Sequence, residues 1–140
     1  IPLAKAVWDG HVYAVDVDDA MLEAVQKRAT EARLSNITTM KSEDGKLPLK
    51  ADAVDGILLA CVLHEISAKV SFLKSVAKSL KSGGWCGVVE WRAKTPDGAG
   101  PESNKRIAME ELQDLAAKAG LRASHRRELN DHYYMLLLSK

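Results

Sequence analysis

A chain of 140 residues has the length of a single domain, and its 46% hydrophobic and 28% charged residues are typical of a soluble globular protein rather than a disordered segment. Lys and Arg number 20 against 19 Asp and Glu, and the net charge of +1 excludes the broad basic surface that a nucleic-acid partner would need. Apolar runs fall short of the roughly 20 residues that span a bilayer, and the opening residues resemble no leader, so we expect a cytoplasmic protein without a membrane span.

The first third of the chain predicts a helix, a strand, a second helix and a second strand. Apolar residues recur at helical spacing over 1–8 and again up to about Leu34, whereas HVYAVD (His11–Asp16) and Ile37–Lys41 are typical of strands. The acidic cluster at 16–19 is placed to cap the second helix. A polar, turn-rich loop then leads to the rest of the chain.

The remaining two thirds continue this alternation. Val54–Val62 is almost entirely apolar, as expected of a parallel strand covered on both faces, and a helix is predicted to start at a Ser67 cap and to stop at Gly83-Gly84. The later predicted elements are a strand at Trp85–Trp91, a loop at 92–105, a helix at Met109–Ala119, and an antiparallel pair at Leu121–Glu128 and His132–Ser139. The order predicts one α/β domain over residues 1–140, with a mostly parallel sheet, helices on both faces and an antiparallel C-terminal strand.

The two cysteines, Cys61 and Cys86, both lie in apolar, strand-like runs. His64 follows Cys61 closely, but no second pair of ligands completes a zinc site. We therefore expect buried, reduced thiols and no metal.

Candidate site residues follow the predicted strands, because ligands of an open α/β sheet bind beyond the carboxyl ends of its strands. They are Asp16, then Glu43 and Asp44, then the segment Ala60 to Glu65, and then Glu90 with Trp91. Asp16 could equally cap a helix, and Glu43 with Asp44 could form a solvated loop. His64 could order its loop instead of acting as a general base. From the residues alone these alternatives stay open.

Four stretches of the sequence carry a resemblance to a known family. They are VYAVDVDDAMLEAVQKRA (Val12–Ala29), ITTMKSEDGKLPLKADAVDGILLACVLHEI (Ile37–Ile66), SLKSGGWCGVVEW (Ser79–Trp91) and MEELQDLAAKAGL (Met109–Leu121). With the final strand they cover nearly the whole chain and resemble the class I S-adenosylmethionine-dependent methyltransferases, in particular the branch of the ubiquinone and menaquinone biosynthesis methyltransferases. The resemblance implies a Rossmann-like fold, S-adenosylmethionine as the cofactor and a small-molecule methyl acceptor.

The resemblance also implies roles for residues in the first third of the chain. Asp16 would hold the ribose hydroxyls, Val17 would contact the adenine ring, and Met21 would line the same pocket. Glu43 stands where the family usually has an Asp that accepts from the adenine amino group. The backbone of Asp44 would face the edge of the ring.

Further roles are implied at the end of the central strand. Ala60 would approach the methionine part of the cofactor, and the segment from Cys61 to His64 would form the floor of the methyl-transfer site. His64 is the one catalytic candidate, and it would matter for an acceptor that has to lose a proton, such as a phenol or an enolisable carbon. Trp91 would border the acceptor pocket together with the loop after it.

One family feature is missing from this sequence, namely the first strand and its glycine-rich turn. The opening IPLAKAVWDG resembles the second half of the helix that follows that turn. Because the family places this strand in the middle of the sheet, its loss would leave two strand edges unpaired and apolar surface exposed. We therefore expect either a segment upstream of Ile1 or association with another chain, for example as a homo-oligomer.

Two other functions compete with the methyltransferase. An acidic residue after the second strand of the fold also marks nicotinamide-dependent oxidoreductases. A non-catalytic binding or assembly module could retain the fold without the glycine-rich turn. The antiparallel ending and the Glu43-Asp44 loop favour the methyltransferase over the oxidoreductase.

Overall fold

Four helices, six strands and one 3₁₀ turn follow each other in the predicted order over residues 1–43 and 45–140, which the computed structural model describes. They are α1 (Pro2–Ala6), β1 (Val12–Asp16), α2 (Asp19–Glu31), β2 (Ile37–Lys41), β3 (Val54–Ala60), the 3₁₀ turn (Leu63–Glu65), α3 (Lys69–Ser79), β4 (Leu80–Trp91), α4 (Met109–Lys118), β5 (Arg122–Glu128) and β6 (Tyr133–Ser139). The chain divides into two compact units, Ile1–Pro48 and Leu49–Lys140. A single domain over 1–140 therefore stays a prediction.

The first unit is built on a two-stranded parallel sheet. Strands β1 and β2 pair in register from Val12 opposite Ile37 to the carboxyl ends of both strands, and α2 packs on both of them. The side-chain amide of Asn36 donates to the carbonyl oxygens of Ala4, Val7 and Gly10 at 3.0, 3.1 and 3.2 Å. One polar side chain thus ties the end of α1 and its turn to the start of β2.

The second unit holds a four-stranded mixed sheet in the order β3-β4-β6-β5. Strand β3 runs parallel to β4, whereas β6 lies between β4 and β5 and is antiparallel to both. Three strands of this sheet therefore share one direction and only the last strand of the chain opposes them. The mostly parallel α/β sheet with an antiparallel C-terminal strand is confirmed.

Helices α3 and α4 pack against each other and against this sheet. The core between them consists of fully buried aliphatic side chains, among them Leu63, Leu73, Val76, Leu112, Leu136 and Leu138. Each contributes about 1.5–3 kcal/mol relative to an exposed position. The buried hydroxyl of Tyr134 donates to the carbonyl oxygen of Ile107 at 2.7 Å, which ties β6 to the segment before α4.

The boundaries of α3 differ from the prediction at both ends. The helix starts at Lys69 after Ala68, which provides no side-chain cap, so the expected Ser67 cap was wrong. The helix also ends early, because Leu80 already adopts extended angles and pairs with Val54. Gly83 and Gly84 consequently lie in an irregularity of β4 instead of stopping the helix.

Strands β1 and β3 each pair along one edge only among the described residues. In the first unit β1 pairs only with β2, and in the second unit β3 pairs only with β4. Large apolar side chains near these edges are exposed, including Tyr13 at 45% in the first unit and Leu58 at 49% in the second. No helix in the described part of the chain has the length and apolar character needed to cross a membrane.

Candidate functional site

In the first unit, the partly exposed carboxylate of Asp16 lies at the carboxyl end of β1. Oδ1 of Asp16 accepts the backbone N–H of Asp18 at 2.9 Å, and no hydrogen bond to Oδ2 is found among the described residues. The side chain of Asp18, at the N-cap, accepts from the N–H of Ala20. The helix cap is therefore Asp18, and Asp16 braces the turn before it with one oxygen free.

Exposed apolar side chains lie immediately after this carboxylate in the sequence. Val17 is 56% exposed and Met21 is 53% exposed. Val17 sits in the bend between β1 and α2, and Met21 lies in the first turn of α2. Two uncovered apolar groups that follow an acceptor oxygen offer a surface for a ligand with both a polar and a flat apolar part.

The loop after β2 holds Glu43, whose carboxylate is paired with Lys46. The hydrogen bond and the charge of Lys46 lower the pKa of Glu43 below its ordinary value. The hydroxyl of Ser42 donates to the carbonyl oxygens of Glu43 and Lys46, so the loop turns back on itself. Asp44, the other residue predicted here, lies outside the described residues.

In the second unit, β3 ends at Ala60 and the chain turns sharply at Cys61. Cys61 has a φ of +54°, a left-handed conformation that costs a residue with a side chain about 1 kcal/mol or more. Its N–H donates to the carbonyl oxygen of Val89 at 2.8 Å, which holds the turn against β4. Burial, together with the charge of Glu90, raises the pKa of the Cys61 thiol, so the thiol is neutral at physiological pH.

The turn carries His64 into contact with a buried carboxylate. The His64 side chain is 7% exposed, and its Nδ1 lies 2.9 Å from Oε2 of Glu90, which is fully buried. Oε1 of Glu90 accepts the backbone N–H of His64 at 3.1 Å, and Oε2 also accepts that of Trp91 at 3.2 Å. Three nitrogens therefore surround one carboxylate.

The other ring nitrogen of His64 faces a different environment. Nε2 lies 3.3 Å from Oε1 of Glu65, whose side chain is 64% exposed. Nδ1 of the imidazole is therefore held by a buried carboxylate, whereas Nε2 lies next to an exposed one. Glu90 was predicted as a candidate site residue at the end of its strand but without a role, although its place within the apolar run WCGVVEW indicated a buried acid.

The predicted cofactor residues lie outside the large open hollow of the first unit. That hollow is lined by residues of α2, among them Asp19, Leu22, Gln26 and Thr30, and by Thr39 of β2. Within the described residues no group of three or more His, Cys, Asp or Glu side chains is arranged to hold a metal ion.

Comparison with known proteins identifies the family. Residues 1–88 match the model of a family described as a methyltransferase domain, which is more than half of the chain. The chain belongs to this methyltransferase family. It is an S-adenosylmethionine-dependent enzyme of class I. No curated protein matches the sequence closely enough to count as a relative.

Solved structures share the fold of this methyltransferase. An S-adenosylmethionine-dependent methyltransferase from Aquifex aeolicus is 26% identical, with a TM-score of 0.86 over 93% of this chain and 69% of that one. The [4+2]-cyclase SpnF is 17% identical, with a TM-score of 0.84 over 99% of this chain and 70% of its own. The O-methyltransferase NcsB1 from neocarzinostatin biosynthesis, solved with S-adenosyl-L-homocysteine and 1,4-dihydroxy-2-naphthoic acid, is 23% identical, with a TM-score of 0.79 over 98% of this chain and 44% of that one. The Rossmann-like methyltransferase fold is thereby confirmed.

The methyltransferase has an aromatic cluster at the end of β4, where an acceptor border was predicted. The rings of Trp91 and Tyr133 lie 4.4 Å apart, and Gly100 covers Trp91 so closely that a Cβ there would lie 2.5 Å from the indole. Arg106 donates to the carbonyl oxygens of Pro101 and Ala99 at 2.9 and 2.8 Å. Hydrogen bonds from Arg106 and the contact of Gly100 with Trp91 therefore hold the loop after β4 in place.

Proposed function

We propose that this methyltransferase methylates a small molecule whose nucleophile forms on loss of a proton, such as a phenol or an enol, with His64 as the base. The observation that carries the proposal is the buried contact between His64 and Glu90, because a methyl acceptor that is already a strong nucleophile needs no such base. NcsB1, which shares the fold, was solved with a dihydroxynaphthoic acid, a phenolic compound. Placement in the ubiquinone and menaquinone branch, whose acceptors are of this kind, is part of the proposal.

The residues of the first unit fit the adenosine part of the cofactor. Oδ1 of Asp16 is used by the turn, and Oδ2 is available to accept from a ribose hydroxyl. The exposed side chains of Val17 and Met21 suit the flat apolar adenine. Glu43 would first have to exchange its contact with Lys46 for the adenine amino group, and both of these side chains are at the surface.

The end of β3 in the second unit fits the methionine part of the cofactor. Ala60 is exposed and its small side chain leaves the backbone accessible. The left-handed turn at Cys61 directs the chain from β3 into the 3₁₀ turn that carries His64. We assign Ala60 and Cys61 to cofactor binding and His64 to proton transfer.

The chemistry that these residues must provide is limited. S-Adenosylmethionine supplies, when bound, a methyl group on a positively charged sulfur, so that the carbon–sulfur bond breaks as the bond to the acceptor forms. Nε2 of His64 takes the proton that leaves the acceptor, and the imidazolium then returns this proton to solvent. In-line positioning of donor and acceptor supplies much of the rate.

The binding half of the proposal is tested by isothermal titration of S-adenosylmethionine into the protein, the Asp16→Ala variant and the Asp19→Ala variant. Loss of a carboxylate that accepts from ribose should weaken binding roughly 10- to 100-fold. Asp19 is a matched control, because it is also acidic and exposed but pairs with Lys41. Equal binding by all three proteins would contradict the role of Asp16. No binding by any of them, in folded protein, would favour the binding or assembly module.

The other expectations from the sequence remain predictions. They are a cytoplasmic location, the absence of a nucleic-acid partner and association into a homo-oligomer. The oxidoreductase alternative has no support from the family match.

A further inference from the structure

We propose that Glu90 is the positioning residue for His64, fixing the ring in the tautomer that carries its proton on Nδ1 and leaving Nε2 as the proton acceptor. This inference rests on the proposed role of His64 as a base. It gives a function to the one fully buried acid among the described residues.

The hydrogen bonds around Glu90 decide which way the protons point. Backbone N–H groups can only donate, so Oε1 accepts from His64 at 3.1 Å and Oε2 accepts from Trp91 at 3.2 Å. Oε2 is also 2.9 Å from Nδ1 of His64. An ionised carboxylate satisfies all three contacts at once if Nδ1 carries a proton, and this is the arrangement expected of a buried charge.

The geometry fixes His64 at two points. The same carboxylate binds the backbone N–H of His64 and the side-chain Nδ1 of that residue. The position of the 3₁₀ turn and the rotation of the ring are therefore set together. Burial adds to this, since the His64 side chain is 7% exposed and cannot easily adopt another rotamer.

The surroundings of Nε2 suit a group that gains a proton. Glu65 lies 3.3 Å from Nε2, and its mostly exposed carboxylate can accept a hydrogen bond from that nitrogen once Nε2 carries a proton. Cys61 and Tyr134 are titratable neighbours of Glu90, and the raised pKa of each keeps it uncharged. His64 therefore lies between the carboxylate of Glu90 at Nδ1 and that of Glu65 at Nε2.

Nitrogen-15 NMR of the imidazole rings tests the inference without any methyl acceptor. We expect His64, observed with its ring neutral, to show a protonated Nδ1 and a bare Nε2, with this tautomer favoured by roughly tenfold or more. The His64→Asn variant identifies the signal among the four histidines. A bare Nδ1 in the unaltered protein would overturn the proposal, whatever the variants do.

Two variants distinguish a Glu90 that orients the His64 ring from a Glu90 that only accepts hydrogen bonds from backbone N–H groups. Glu90→Gln keeps the shape of the side chain but replaces one acceptor oxygen by an NH₂ group, which cannot accept from any of the three nitrogens around it. The preference for a proton on Nδ1 is then weakened, and we expect a mixture of both tautomers of His64. Glu65→Gln is the matched control at the other nitrogen, and it should leave the tautomer unchanged. An unchanged tautomer in Glu90→Gln would contradict the proposal, because the ring would then be set by something other than the carboxylate.

The proposed function and this inference fail in different ways. With S-adenosylmethionine and 1,4-dihydroxy-2-naphthoic acid as the probe acceptor, a base role for His64 requires a large loss of kcat in His64→Asn with little change in the KM for the cofactor. Wild-type turnover in His64→Asn would remove the base role but leave the tautomer result standing. If Nδ1 were bare in the unaltered protein but His64→Asn still lost kcat as expected, only the role of Glu90 would be contradicted.

Discussion

Two carboxylates at the carboxyl ends of strands have opposite environments in this protein. Asp16, in the first unit, is partly exposed and uses one oxygen for a single backbone N–H. Glu90, in the second unit, is fully buried and has three nitrogen partners. The position of an acidic residue on a strand therefore does not define its role. A carboxylate with an oxygen that accepts no hydrogen bond can bind a ligand. A carboxylate whose two oxygens both accept hydrogen bonds from the protein holds those protein groups in place.

The largest effect on stability is expected from removing the buried carboxylate of Glu90. Glu90→Ala leaves the partly buried backbone N–H groups of His64 and Trp91, and Nδ1 of His64, without their acceptor, and we expect a loss of about 3 kcal/mol or more in the free energy of unfolding. Asp16→Ala, the counterpart, should cost less than about 1 kcal/mol because only one exposed hydrogen bond is lost. Urea denaturation followed by circular dichroism gives both values. Similar losses in the two variants would show that the two carboxylates contribute equally to stability, in contradiction to their different burial.

Much of the fold follows from patterns within short segments. Alternating and helical apolar spacing gave the element order, and the Asp16–Asp19 cluster indicated the cap that Asp18 forms. The limits of α3 did not follow, because they depend on pairing between Val54 and Leu80, which lie 26 positions apart. Ser67 and Gly83-Gly84 predicted the wrong limits, because the strand pairing outweighed these local preferences.

The site was predictable only in part, for a related reason. Cys86, Val88 and Glu90 alternate along β4 and all three are fully buried, so period-2 spacing alone would have placed an acid in the core. Its partner is not local, because the parallel register that sets Ala60 opposite Val89 brings His64 to Glu90. The left-handed turn at Cys61 has no sequence signal, since glycine or asparagine is the usual residue there.

A second prediction contrasts Glu90 with a buried group that lacks donors. Burial raises the pKa of the Cys86 thiol to about 12 from its ordinary 9.0, and burial also raises the pKa of Tyr134. Both groups stay neutral in the folded protein while the unfolded chain ionises. The stabilising effect of the Cys86 thiol is therefore complete below about pH 9 and is lost as the pH rises towards 12.

This loss is measurable in denaturation experiments at pH 8, 9 and 10. At pH 10 Cys86 alone should remove about 1.4 kcal/mol of the free energy of unfolding. Cys86→Ala should remove that part of the pH dependence, whatever its effect on stability at pH 8. Cys61→Ala serves as the comparison, because Cys61 is only partly buried and its contribution should be smaller. A pH dependence that is unchanged in Cys86→Ala would show that this thiol is not protected by burial.

The smallest effect separates Asp16 from its neighbour Asp18 within the first unit. Asp18 accepts the N–H of Ala20 and caps α2, so Asp18→Ala should cost about 1 kcal/mol of local stability. Hydrogen exchange of the amides in the first turn of α2 should accelerate about fivefold accordingly. Asp16→Ala should leave these amides much less affected, because its oxygen braces the turn but does not cap the helix. If Asp16→Ala produced the larger acceleration, Asp16 would be chiefly a structural residue. The free oxygen proposed for the ribose would then have lost its main support, even if the cofactor still bound.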